Sequence, residues 1–68
     1  MVVFKVGIGG NNYVFSKEKT PVEDIARSIG KAISSVYFNK KYQVYAIRCK
    51  NETHKQKLKE MFSTENKL

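Results

Sequence analysis

The first part of the chain alternates between apolar and polar residues in a way that predicts a β-hairpin. Residues 2–8 place β-branched or aromatic side chains at every second position, which is the period of an extended strand. Val3 adds an apolar side chain to the other face, as expected of a strand with neighbours on both sides. Residues 9–12 are Gly and Asn, which tolerate a tight turn. Alternation resumes at residues 13–17 and predicts the second strand.

A helical pattern follows. Thr20 is the predicted N-cap, Pro21 the first helical residue and Glu23 the partner that closes a capping box. Apolar residues then recur on one helical face, at Val22, Ile25, Ala26, Ile29, Ile33 and Val36. The pattern predicts a helix to about Val36 with Gly30 in its interior. A glycine there costs about 1 kcal/mol relative to alanine, which indicates close packing against the sheet.

The third predicted strand covers residues 41–50. Tyr45, Ile47 and Cys49 share the face expected to turn toward the core. The alternate positions, which are Tyr42, Val44, Ala46 and Arg48, belong to the opposite face.

The last predicted helix begins near Asn51 and carries a short apolar stripe. Leu58, Met61 and Phe62 form that stripe. Few apolar residues anchor this helix, so we expect residues 63–68 to fray.

These elements predict one small α+β domain over residues 1–62, with the order β-β-α-β-α. We expect a three-stranded antiparallel sheet in the order 2-1-3, because a crossover through the first helix can place the third strand beside the first. Both helices are expected on one face of the sheet. The uncovered face would then carry Val3, Lys5, Val14, Ser16, Tyr42, Val44 and Arg48.

Composition narrows the class of protein. A chain of 68 residues is long enough for one domain, with a modest core and no deep buried pocket. Cys49 is its one cysteine, which leaves no partner for an intrachain disulfide and favours a reducing compartment. Residues 1–8 lack the basic start of a signal peptide, and no stretch is long enough to span a membrane. We therefore expect a cytoplasmic protein without membrane contact.

Charge is the strongest indication of a partner. Thirteen Lys and Arg residues stand against six Asp and Glu residues, for a formal net charge of +7. Residues 1–34 carry a net charge of +2 and residues 35–68 a net charge of +5. A basic balance of this kind favours nucleic acid or an acidic protein surface as the partner.

The residue types do not favour catalysis. Glu23 and Asp24 are adjacent at a helix start and diverge, so they do not form a convergent acid–base pair. His54 and Cys49 alone cannot supply the ligands of a zinc site. The glycine-rich residues 7–10 precede a strand, whereas a phosphate loop precedes a helix. We expect a non-catalytic protein without cofactor or metal.

The leading hypothesis is therefore a small basic protein that binds DNA or RNA. Aromatic and basic residues interleave in the C-terminal half, where cations can neutralise phosphates and rings can stack on unpaired bases. Tyr42 is the stacking candidate. The predicted contact residues are Lys40, Lys41, Tyr42, Arg48, Lys50, Lys55, Lys57 and Lys59.

The alternative hypothesis is a protein-interaction module. A short, cysteine-poor, lysine-rich chain is typical of the small proteins with which a phage or mobile element modulates or inhibits a host protein. Its uncovered sheet face or an edge strand would dock on an acidic protein surface or on a second copy, as a homodimer.

Overall fold

The computed structural model describes residues 2–63, which form an α+β fold with two helices and one antiparallel sheet of four strands. In chain order the elements are β1 (Val2–Val6), β2 (Asn12–Ser16), α1 (Lys19–Ser28), β3 (Tyr37–Asn39), β4 (Val44–Cys49) and α2 (Glu52–Ser63). The α+β class is confirmed. The prediction of three strands is wrong, because β3 was assigned to the end of the first helix and the loop after it. Fraying was expected at residues 63–68, and the residues beyond Ser63 lie outside those that the structure describes.

The sheet order is β1-β2-β4-β3, with all neighbouring pairs antiparallel. The predicted order 2-1-3 is wrong, since β2 rather than the first strand has a neighbour on each side. The reason is the additional strand: β3 and β4 form a hairpin, and β4 lies between β2 and β3, which run parallel to each other. Val3 is therefore on an edge strand, half exposed on the sheet face that no helix covers.

The register of the first hairpin decides which side chains of β2 face the helices. Phe4 lies opposite Val14, and Val2 lies opposite Ser16. Directly opposed residues in an antiparallel pair point to the same face, so Val14 and Ser16 are buried on the core side. Their predicted place on the uncovered face is wrong. Tyr13 and Phe15 occupy that face instead.

Helix α1 begins one residue earlier than its predicted cap. Glu18 precedes the helix in an extended conformation, and its backbone N–H donates to the Ser16 hydroxyl oxygen at 3.1 Å. Thr20 is inside the helix, so the predicted capping box is wrong. Pro21 is the third helical residue, where it fits because the first four N–H groups of a helix have no partner within the helix.

Helix α1 ends eight residues before its predicted end, because Gly30 terminates it. Gly30 has a φ of +81°, which a residue with a side chain rarely adopts. The Lys31 N–H donates to the Ala26 carbonyl at 2.8 Å, and the Gly30 N–H donates to the Arg27 carbonyl at 3.1 Å. This pair of bonds is the Schellman motif of a helix C-terminus. Gly30 is thus a helix-terminating residue and not an interior one.

Both helices lie on one face of the sheet, as predicted. The buried core joins β2 and β4 to the two helices through Val14, Val22, Ala26, Ile29, Ile47, Cys49 and Leu58. The predicted apolar stripe of α2 contacts this core: Leu58 is fully buried, and the Phe62 ring stacks on Phe4 with centroids 5.0 Å apart. The Asn51 side-chain oxygen accepts from the N–H groups of the next turn and caps α2.

Candidate functional site

The face of the sheet opposite the helices is the most distinctive surface of the molecule, and we call it the outer face. Its side chains come from all four strands and from the turn between β3 and β4. They are Val3, Lys5, Tyr13, Phe15, Tyr37, Asn39, Tyr42, Val44, Ala46 and Arg48.

The register arranges these side chains in rows across the strands. One row places Tyr13 between Lys5 and Arg48. The next row runs from Val3 through Phe15 and Ala46 to Tyr37. Ala46 is fully buried although no helix covers it, because its methyl group lies between two much larger aromatic neighbours. The small residue leaves Phe15 and Tyr37 as the prominent rings of that row.

Two rings of β2 lie parallel to each other. Tyr13 and Phe15 have centroids 6.1 Å apart and planes within 4° of each other. Gly7 makes room for the first of them, since a Cβ atom on Gly7 would lie 2.6 Å from Tyr13 Cε2. A side chain at this glycine would displace the ring. The hairpin loop thus has a direct part in shaping the outer face.

A fourth aromatic ring reaches the outer face from the turn at residues 40–43. The Asn39 side-chain oxygen accepts from the Tyr42 N–H at 3.1 Å, and Gln43 adopts a φ of +57°. These two features reverse the chain within four residues. Tyr42 is 64% exposed, and the Lys41 ammonium lies 5.4 Å from the centre of its ring, at the distance of a cation–π contact.

The rings border two shallow, open depressions. The larger has a volume of about 510 Å³ and the smaller about 370 Å³. Lys5, Phe15 and Tyr42 line both of them. The outer face is thus a continuous, wide surface with aromatic walls, which suits a flat ligand lying across the strands rather than a small molecule enclosed on every side.

A third recess adjoins this surface where the chain passes from α1 to β3. Lys31, Ser35, Tyr37 and Arg48 line its volume of about 480 Å³. Burial raises the pKa of the Tyr37 phenol, nearby Tyr13 raises it further, and the Arg48 guanidinium opposes the change. The Tyr37 hydroxyl therefore lies within electrostatic reach of both neighbours and stays protonated at neutral pH.

Carboxylates are concentrated away from the outer face. Glu23 and Asp24 belong to α1, and Glu52 and Glu60 belong to α2, on the other side of the sheet. Glu18 lies at the margin of the outer face, where it lines a further recess together with Val3, Phe15 and Val44. In the part of the chain that the structure describes, the ion pairs join Lys19 to Glu23, Arg27 to Asp24 and Lys55 to Glu52. Their cations all lie on the two helices.

The structure brings together only some of the residues predicted to form the site. Lys40, Lys41 and Tyr42 share the turn that borders the outer face, and Arg48 lies on it. Lys50 follows β4 at the opposite end of that strand. The remaining cations belong to α2, on the helical side of the molecule, and are Lys55, Lys57 and Lys59.

Lys55 is already engaged within the protein. Its ammonium donates to the Gly10 carbonyl at 2.7 Å and pairs with Glu52 at 3.0 Å, and its side chain is 14% exposed. Such a group ties α2 to the loop between β1 and β2. Contact with an external phosphate would have to break both interactions.

Sequence reasoning missed Tyr13, Phe15 and Tyr37 as surface residues. It placed Lys5 on the uncovered face but named neither Lys5 nor Lys31 as a contact residue. The signal for the β2 pair was present, since their alternation is plain. The pair was assigned to the wrong face because the turn was predicted at residues 9–12, whereas β2 begins at Asn12 and places Phe15 opposite Val3. Cys49 is fully buried, as predicted, and burial raises the pKa of its thiol while Lys31 opposes that change. A protonated thiol is a poor nucleophile.

Among the described residues, neither helix combines the length and apolar character needed to cross a membrane. Comparison with protein-family models, curated proteins and solved structures gave no match to this chain. The outer face is therefore the surface whose chemistry indicates a function.

Proposed function

We propose that this protein binds single-stranded nucleic acid on its outer face. The observation that carries the proposal is the set of four aromatic rings on an uncovered sheet, interspersed with cations and facing away from most of the carboxylates. Modules that bind unpaired bases use such a sheet, since every base has a face that can stack on an aromatic ring.

Stacking supports a single strand over a duplex. Bases in a duplex already stack on each other, so an aromatic platform has no exposed base to contact. Each ring that stacks on an unpaired base contributes about 1–3 kcal/mol. Tyr13, Phe15, Tyr37 and Tyr42 offer four such rings within one continuous surface.

Cations supply the second part of the binding free energy. Lys5 and Arg48 lie at the two ends of the row that contains Tyr13, so a strand crossing the rings would pass a positive charge on each side. Lys40 and Lys41 extend the charge along the turn. Binding that neutralises phosphates releases counterions, and its affinity therefore falls as salt rises.

The test is an anisotropy titration with a labelled oligothymidylate of about ten nucleotides, with a duplex of the same length as comparison. We expect the single strand to bind more tightly. Because each neutralised phosphate contributes a slope of about −0.7, three or four contacts predict a slope of roughly −2 to −3 in log affinity against log salt. Equal affinity for the duplex, or no binding to either at about 10 mM salt, would contradict the proposal.

A second candidate function is protein binding along β1. This strand is at the edge of the sheet, and Val6 and the adjacent Ile8 are 60% and 98% exposed. Exposed apolar side chains beside a free strand edge are typical of a surface on which a partner adds a strand. Capture of one stoichiometric protein partner after nuclease treatment, with loss of capture in Val6→Lys, would favour this function over the first.

A further inference from the structure

The recess where the chain passes from α1 to β3, beside the outer face, has the chemistry of an anion site. Two cations, Lys31 and Arg48, line it together with Ser35 and Tyr37, and no carboxylate is among its lining residues. Within the described residues, neither cation belongs to an ion pair. Because no carboxylate lining the recess neutralises these two positive charges, the recess attracts an anionic group that has more than one hydrogen-bond acceptor.

Three of the four side chains that line the recess are available as hydrogen-bond donors. The Ser35 hydroxyl donates to the Ala32 carbonyl at 2.6 Å, which uses its proton. The donors that remain are the Lys31 ammonium, the Arg48 guanidinium and the protonated Tyr37 phenol. These three donors, two of them positively charged, suit the unesterified oxygens of a phosphate group.

Tyr37 connects this recess with the outer face. Its side chain borders both the recess and the larger depression on the outer face. A nucleotide whose base lies against the ring would therefore carry its phosphate toward Lys31 and Arg48. Tyr37 thus joins a position where a base can stack to a position where a phosphate can bind. A nucleic-acid strand held at both positions would lie in one register on the outer face.

We infer that the recess formed by Lys31, Tyr37 and Arg48 binds one phosphate group of the strand whose bases stack on the outer face. The inference rests on the proposed function, since it assigns a subsite to the same surface. A phosphodiester inside the strand has two unesterified oxygens and a phosphate at its end has three, so either group can accept from these donors. Oligothymidylates with and without a 5′-phosphate distinguish these two sources.

The experiment compares Arg48→Gln and Lys31→Gln with Arg27→Gln. Arg27 is the matched control, because it is an exposed arginine that pairs with Asp24 on α1, on the other side of the sheet. Each recess variant is expected to reduce the salt slope by about 0.7 and the affinity on the order of three- to tenfold at low salt. Arg27→Gln should change affinity less than about twofold. Arg48→Lys, which keeps the charge, should recover part of the loss.

The outcomes separate the two proposals. A 5′-phosphate that strengthens binding to the wild type but not to Arg48→Gln identifies a terminal phosphate in the recess. A reduced slope with no preference for the 5′-phosphate identifies an internal phosphodiester. If the wild type binds the strand but the recess variants lose no more affinity than Arg27→Gln, the recess is not a phosphate site and the proposed function stands. If the wild type binds no strand at all, the proposed function itself fails.

Discussion

Replacing Leu58 with alanine should remove most of the stability of this domain. Leu58 is the only fully buried side chain of α2 among the described residues, and it packs into the core that joins the two helices to the sheet. Truncating a buried leucine costs about 2–5 kcal/mol. A domain of 68 residues has a total free energy of unfolding of only about 3–10 kcal/mol. We therefore expect the Leu58→Ala variant to be largely unfolded at about 37 °C.

The measurement is urea unfolding followed by circular dichroism. Ile8→Ala is the control, because it also shortens an aliphatic side chain of the same size, at a position that is 98% exposed. We expect the control to change the free energy of unfolding by less than about 0.5 kcal/mol. A cost below about 1 kcal/mol for Leu58→Ala would mean that α2 is not docked as described.

The second large effect concerns binding. Tyr37→Ala should weaken the affinity for a single strand by roughly 5- to 150-fold, since one base-stacking ring is worth about 1–3 kcal/mol. Tyr37 borders both the aromatic depression and the basic recess. Its loss should therefore affect stacking and register together.

Phe38→Ala is the matched control for this variant. The two residues are neighbours in the edge strand β3 and are 41% and 43% exposed, but their side chains point to opposite faces. Phe38 contacts Tyr45 on the helical side, with ring centroids 5.0 Å apart. Both variants should lose a comparable amount of stability, whereas only Tyr37→Ala should lose affinity for the strand. Equal losses of affinity would show that the outer face is not the binding surface.

Alternation along the chain predicted well those features that depend on burial alone. The core-facing side of β4 follows directly from its pattern, because Ile47 and Cys49 are apolar and fully buried. The same holds for the stripe of α2 around Leu58. In both segments, the fully buried residues of the core are ones that the apolar pattern placed on the core side.

The end of α1 could not be predicted from periodicity, because the apolar spacing continues past the end of the helix. Ile33 and Val36 fit the helical face, yet they belong to a 3-10 turn and to the residue after it. The left-handed conformation of Gly30 ends the helix. A glycine in a sequence indicates only that such a conformation is available at that position. The three residues of β3 are too few to show alternation of their own.

The candidate site was only partly predictable for a related reason. Tyr42 and Arg48 were identified as contact residues and both border the outer face. Tyr13 and Phe15 were placed on the wrong side, because the face of β2 depends on its register with β1. That register depends on the geometry of the turn as well as on the apolar pattern, and the pattern alone did not show that β2 begins at Asn12. Tyr37 was missed together with β3.

The central claim is that the outer face binds the strand, and the aromatic rings of this protein allow a direct test. Of its four tyrosines and four phenylalanines, half border the outer face, namely Tyr13, Phe15, Tyr37 and Tyr42. The other half lie on the helical side, namely Phe4, Phe38, Tyr45 and Phe62. The measurement is a ¹H–¹³C NMR titration of these eight rings with an oligothymidylate. We predict that stacking on bases shifts the signals of the outer four and leaves those of the helical four unchanged. Shifts confined to the helical four would contradict this claim.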